Sequence, residues 1–415
     1  MRREDAFRQT LTTLSSAVML TAMAGCTPDE PPIIYEYDAY LGEAFPNQRK
    51  PLVLPASGAL FVTNSYSDTI SVLDAVSGDV IGTFPAGRDP VSLDGPHHVV
   101  VSGASNAVYI GLSYPTENTG MGPHAAHGSS IKAGFAQKLS LSDMSILGQT
   151  RVDNNPGEIV ISSDGKRVFT SHFDLVRALK NPTDIDAARA TIAVIDTETM
   201  APVDSPAPKR ITTCVAPHGM TLSEPDGAIA YVACYGEDSI AVVDVDKGTV
   251  ERIPVAANAT GFGNPAYGPY SLSTSPDGNT IAVGDTVSKD IRFFDPNTRM
   301  MLPSQTLTVF SAPYFPAWSA DGTALVIPLQ SPDAIVVMDV VAKKEIVYRA
   351  FTADECKLPH VAVRLPDGTY ALTCEGDHVG NGKVLWLDPT TLETIRSQEV
   401  EVYPDALFYY QPNKP

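Results

Sequence analysis

From about residue 51 the chain alternates apolar and polar positions in short runs broken by turn residues, the period of half-buried β-strands. One unit recurs. It has a Pro, an alternating strand, an Asp-Gly turn, a second strand, a loop, a third strand ending in Asp, and a fourth strand. The clearest copy is PHGMTLSEPDGAIAYVACYGEDSIAVVDVDKGTVERIP, from Pro217 to Pro254. The leading prolines are Pro51, Pro96, Pro156, Pro217, Pro269, Pro313 and Pro359, at steps of 45, 60, 61, 52, 44 and 46 residues. Third strands such as TISVLD, SIAVVD, AIVVMD and KVLWLD are apolar on both faces, as strands sandwiched between neighbours must be. The pattern predicts an all-β fold, a seven-bladed β-propeller of four-stranded antiparallel blades over residues 51–398. The tail 399–415, or Ile33–Tyr40, is expected to pair with an outer strand and help close the ring.

The start of the chain changes the picture. Arg2-Arg3, a short apolar stretch from Leu11 to Ala24 and small residues before Cys26 read as a secretion signal over 1–25. Met23-Ala24-Gly25-Cys26 resembles a bacterial lipobox, which implies that Cys26 takes a diacylglycerol and anchors the protein to a membrane. Thr27 then implies sorting to the outer membrane, facing the periplasm or the cell surface. Residues 26–50, rich in Pro and acidic groups, form a tether. The formal charge of −19 argues against nucleic acid, which needs a basic stripe.

Besides Cys26 there are four cysteines. Cys214 and Cys356 each lie three residues before a leading Pro, and Cys234 and Cys374 each end a second strand. The repeat therefore pairs Cys214 with Cys234 in blade 4 and Cys356 with Cys374 in blade 7, in keeping with an oxidising compartment. The rival reading, thiolate metal ligands, has no CxxC spacing behind it. CxxCH is absent, which excludes covalent c-type haem.

Residues 60–84, LFVTNSYSDTISVLDAVSGDVIGTF, resemble the YVTN-type propeller repeat of surface-layer and other bacterial envelope proteins. That resemblance implies the fold and leaves function open, because propellers host binding proteins and enzymes alike.

Every histidine maps to the face where the first strands begin, or to its rim. The long segments Ser113–Gly134, Phe173–Arg189 and Ala256–Gly268 belong to the same face, where binding is expected. The position after each leading Pro gives a ring around the channel mouth: Leu52, His97, Gly157, His218, Tyr270, Tyr314 and His360. His97, His218 and His360 are the candidate ligands for a divalent transition metal, with Tyr270 and Tyr314 as ligand-binding residues. His124 and His127 could add ligands from their loop. Set against this, a histidine here often only bonds the backbone of the next blade, and His98 and His172 read as packing residues. Glu375-Gly-Asp377-His378-Val-Gly-Asn381 resembles an oxygen-rich cation loop. Asp244, Asp295, Asp339 and Asp388 read as turn residues.

Three functions follow. The anchor, the acidic surface and the lack of a catalytic signature favour a binding or scaffold module, presenting its His-rich face to an envelope protein, ligand or metal. Gly95-Pro96-His97-His98 is similar to a stretch of the lactonase propellers, which implies a hydrolase with Glu158 as a candidate base and His97, His218 and His360 as weak catalytic candidates. The His ring also motivates a metal- or quinone-dependent oxidoreductase, although only Trp318 and Trp386 are present and Trp-rich quinoprotein motifs are missing.

Overall fold

The computed structural model describes residues 49–88, 93–116, 125–200, 209–259 and 261–412. Cys26, most of the tether and His124 lie outside these residues, so the anchor and that loop histidine stay expectations. No helix among the described residues is long and apolar enough to cross a membrane.

Seven antiparallel sheets stand around a central axis. Burial within each blade follows from its neighbours. Second strands such as ALFVTN and YALTC are buried throughout, because both faces meet another blade. Outer strands such as TVERIP and KEIVYRA alternate toward solvent. The Asp-Gly turns adopt the positive φ their sequence predicts, 72° at Gly165 and 73° at Gly278. The strand-end aspartates are turn residues: the Asp244 carboxylate accepts from the Lys247 N–H, and Asp388 accepts from Thr390 and Thr391.

The ring closes differently from the expectation. The sequence places the tail on an outer strand, but Pro404–Tyr410 is the innermost strand of the first blade, paired with Ala59–Asn64. The outer strand Thr394–Val402 of the last blade therefore runs past residue 398. Pro51 begins no inner strand, and Leu52 instead donates its N–H to the Ser142 carbonyl in blade 2. Pro404 is the seventh leading proline.

The inner strands share one local device. The residue before the proline has positive φ at Gly95, Asn155, Ala216, Gly268, Leu358 and Tyr403, between 50° and 65°. Four of these are not glycine, so the turn is held against its own strain by its surroundings. A β-bulge follows, seen as a register shift after Pro96, Pro156, Pro217, Pro269 and Pro359. The pairing of Pro404–Tyr410 shifts in the same way. A bulge adds a residue to one strand and re-aims the side chains beside it.

Exposure runs along the axis. PHGMTL, PYSLST and PHVAVR are buried over their first four residues and partly exposed over the last two. At the proline end the insertions form a roof. The short helices Ala125–Gly128 and Leu175–Lys180 meet there, since a Cβ on Gly128 would stand 2.7 Å from Leu175 Cδ1. Phe173 is fully buried beneath them. Among the described residues, the face expected to be the open mouth is thus covered over the histidines, and the channel opens at the other.

Both disulfides form as paired from the repeat, Cys214–Cys234 and Cys356–Cys374, with Cα atoms 5.7 and 5.1 Å apart. Cys214 ends the outer strand Lys209–Cys214 of blade 3, so that bridge staples two blades rather than lying within one.

Candidate functional site

Two tiers of side chains line the axis at the closed end. The first residue after each leading proline gives Asp405, His97, Gly157, His218, Tyr270, Tyr314 and His360. Asp405 takes the place assigned to Leu52 and supplies a carboxylate the sequence reading lacked. The spacing held the signal: Pro404 stands 45 residues after Pro359, one more blade step. The second residue gives His98, Glu158, Gly219, Ser271, Phe315, Val361 and Ala406.

Sealing and chemistry coexist in these histidines. His97 Nδ1 donates to the Pro156 carbonyl at 2.9 Å, and His360 Nδ1 to the Asp405 carbonyl at 2.7 Å. A carbonyl only accepts, so each Nδ1 carries the proton and each ring turns Nε2 the other way. His172 is structural. Its Nδ1 donates to the Thr191 carbonyl, its Nε2 accepts from the Asp153 N–H, and burial pushes its pKa down to about 4.

His97, His98 and His218 come together, their donor nitrogens within 4.8 Å of one another and their side chains buried. The rings are mutually steep, at 72°, 65° and 71°, with centroids 4.6, 5.6 and 5.5 Å apart. Three imidazoles bound in plane to one ion with Zn–N near 2.1 Å would place their centroids roughly 4.5 to 5.3 Å apart. The set fits such an ion after small ring rotations. His360, a ligand candidate from the sequence, is not in this group; His98 is, because the bulge after Pro96 turns two successive side chains to the axis. His218 is held by Tyr270, stacked at 3.9 Å, and by the edge of Phe173 at 5.0 Å. Gly157 leaves that space open: a Cβ there would lie 3.3 Å from His218 Cδ2 and 2.8 Å from Ser171 Oγ.

A second group joins His97, His127 and Asp405. Asp405 Oδ2 lies 3.0 Å from His127 Nε2 and 3.4 Å from His97 Nε2, and Oδ1 lies 3.2 Å from His360 Nδ1. The His97 and His127 rings are stacked 4.1 Å apart and only 1° from parallel. One ion cannot lie in both planes, so this group is a buried carboxylate clasped by imidazoles rather than a second metal site. His127 hydrogen-bonds through Nδ1 to the Ser113 hydroxyl, which fixes it from the roof.

Tyr270 and Tyr314 wall the cluster. The Tyr314 ring lies 5.2 Å from His360, and burial pushes both phenols up. Neither is among the described residues lining the channel cavity. The expected cation loop is committed elsewhere. Glu375 accepts from Gln330 and pairs with His378 at 2.8 Å, and Asp377 accepts from the N–H groups of Val379 and Gly380.

Below the histidines the channel holds a cavity of about 330 Å³. His98 and Phe315 lie on its wall with Glu158, whose carboxylate accepts from the Met220 N–H at 2.5 Å. Burial pushes the Glu158 carboxyl up to about 8. That shift favours its protonated form at neutral pH.

No family model matches the chain, and no curated protein matches it. Solved structures do. A putative 6-phosphogluconolactonase from Bacteroides uniformis is similar at 15% identity and a TM-score of 0.60, over 85% of this chain and 100% of that one. The periplasmic gluconolactonase of Pseudomonas aeruginosa is similar at 16% identity and 0.57, over 85% and 99%. A dihydro-heme d1 dehydrogenase is similar at 15% and 0.56, over 95% and 85%. At such identities the likeness shows the fold: this chain is a seven-bladed β-propeller.

Proposed function

We propose that the protein is a metal-dependent hydrolase of small esters or lactones, with its reacting centre at the closed end of the channel. The observation that carries this reading is the steep, mutually inclined set of His97, His98 and His218. Asp405 beside His97 supports it: its Oδ2 lies 3.4 Å from His97 Nε2, so a carboxylate stands at the edge of the set and its negative charge favours a bound cation. A divalent transition metal held there would supply Lewis acidity and a lowered pKa for water. Glu158, on the channel wall with its carboxyl pushed up to about 8, would give its proton to a leaving alkoxide as the C–O bond breaks. Three buried imidazoles grouped at the end of a channel favour the enzyme reading over a scaffold module. The two disulfides support an oxidising compartment, and lipidation of Cys26 belongs to the same proposal.

The test begins with elemental analysis of the purified protein. Near-stoichiometric zinc, manganese, iron or copper is expected, lost in His97→Ala/His98→Ala/His218→Ala and kept in His360→Ala. Hydrolysis of lactones should follow metal content. A metal-free protein that takes up none of these ions, and whose triple variant melts as the parent does, would sink the reading.

A further inference from the structure

The cavity below the histidines has a chemical character of its own. Apart from His98, Glu158, Thr221 and Glu224, its wall is Val, Ile, Leu, Ala and Phe. No Lys or Arg stands among the described residues of that wall. A phosphate or carboxylate moving along it would shed water beside two glutamates with no cation on the wall to replace it, a cost of several kcal/mol. A carbonyl compound without charge meets a wall rich in apolar side chains and, at the inner end, the Glu158 carboxyl as a hydrogen-bond partner. The exposure gradient along the inner strands sets the direction of travel, since the proline end lies under the roof and the far end opens to solvent.

We infer that the channel, open at the face away from the insertions, is the route to the histidine centre. It admits compact, uncharged, largely apolar carbonyl compounds and turns away phosphorylated and carboxylated ones. The substrate is then a neutral ester or lactone with an apolar body, not a sugar phosphate. This rests on the reading of His97, His98 and His218 as the reacting centre. His98 and Glu224 share the cavity wall with Glu158.

Diethyl pyrocarbonate, an uncharged carbonyl reagent that acylates imidazole, tests the route on metal-free protein, with modified peptides read by mass spectrometry. His98 should react ahead of His97 and His218. Thr221→Trp, which narrows the cavity from a partly exposed position, should slow His98 about ten-fold and leave His378, on the roofed side, unchanged. Reaction of His97 or His218 first, or an unaltered His98 rate in Thr221→Trp, would overturn the route. Charge selection needs no variant: iodoacetamide should alkylate His98 at least ten-fold faster than iodoacetate, and equal rates would overturn it. Thr221→Arg should then narrow the gap. Zinc added beforehand should protect His98. If it protects nothing while the other results hold, the metal reading fails and the route and its charge preference survive.

Discussion

Glu158 and His98 occupy the same place in adjacent blades, the second residue after the leading proline. At that depth the wall is apolar enough to keep a carboxyl protonated. Because the folded pKa of about 8 exceeds the ordinary glutamate value, the folded state holds a proton that the unfolded state releases. That contribution is complete below the unfolded pKa and is lost as pH rises through the folded one. Glu158→Gln has no such proton to lose. Denaturant midpoints at pH 5 and pH 9 should therefore show the variant gaining on the parent at the higher pH. An equal difference at both would mean that the carboxyl titrates as an exposed one. His172 works in the opposite sense. Its pKa is lowered to about 4, so its contribution is present above the unfolded histidine pKa and fades as pH falls toward 4.

At the scale of elements, the disulfide Cys214–Cys234 ties the outer strand of blade 3 to the second strand of blade 4, just ahead of Pro217 and His218. Closing a loop with a sequence separation of 20 stabilises by about 3 kcal/mol in the chain-entropy account. Cys214→Ser/Cys234→Ser should lower the unfolding free energy by about that much, measured by denaturant titration, and speed acylation of His218. A loss confined to stability would detach the bridge from the site. The same elements show what the sequence could convey. The prolines, Asp-Gly turns and doubly apolar third strands encode blades locally, so the fold and both cysteine pairs were readable. His98 was not, because alternation sends consecutive side chains to opposite faces and only the bulge after Pro96 breaks that rule. The roof was missed because helices of 4 and 6 residues carry no periodic pattern of their own. Asp405 was missed by treating residues past 398 as a tail, although the proline step continued through them.

The whole molecule depends on that last strand twice. Pro404–Tyr410 pairs with Ala59–Asn64 and so joins the last part of the chain to the first blade. The Thr63 hydroxyl reinforces the seam, accepting from the Ala406 N–H at 3.0 Å. The strand also carries Asp405 into the centre of the histidines. Removing residues 404–415 would strip the cover from Leu60, Phe61 and Val62, all fully buried. Losing the burial of Leu407 costs about 1.5 to 3 kcal/mol, that of the half-buried Phe408 less, and each ladder hydrogen bond about 1 kcal/mol more. The sum is comparable with the net stability of about 5 to 15 kcal/mol that folded domains keep. A chain ending at Tyr403 should therefore lose cooperative melting and aggregate through its bared edge. Asp405→Asn in the full chain separates the two roles. It keeps the strand and its backbone bonds, so the ring should still melt cooperatively, while the clasp on His97 and His127 loses its charge and metal content falls. A truncated chain that melts like the parent would show that the ring does not need its seventh inner strand. An Asp405→Asn protein with full metal content would show that the tri-histidine set holds its ion without help from that carboxylate.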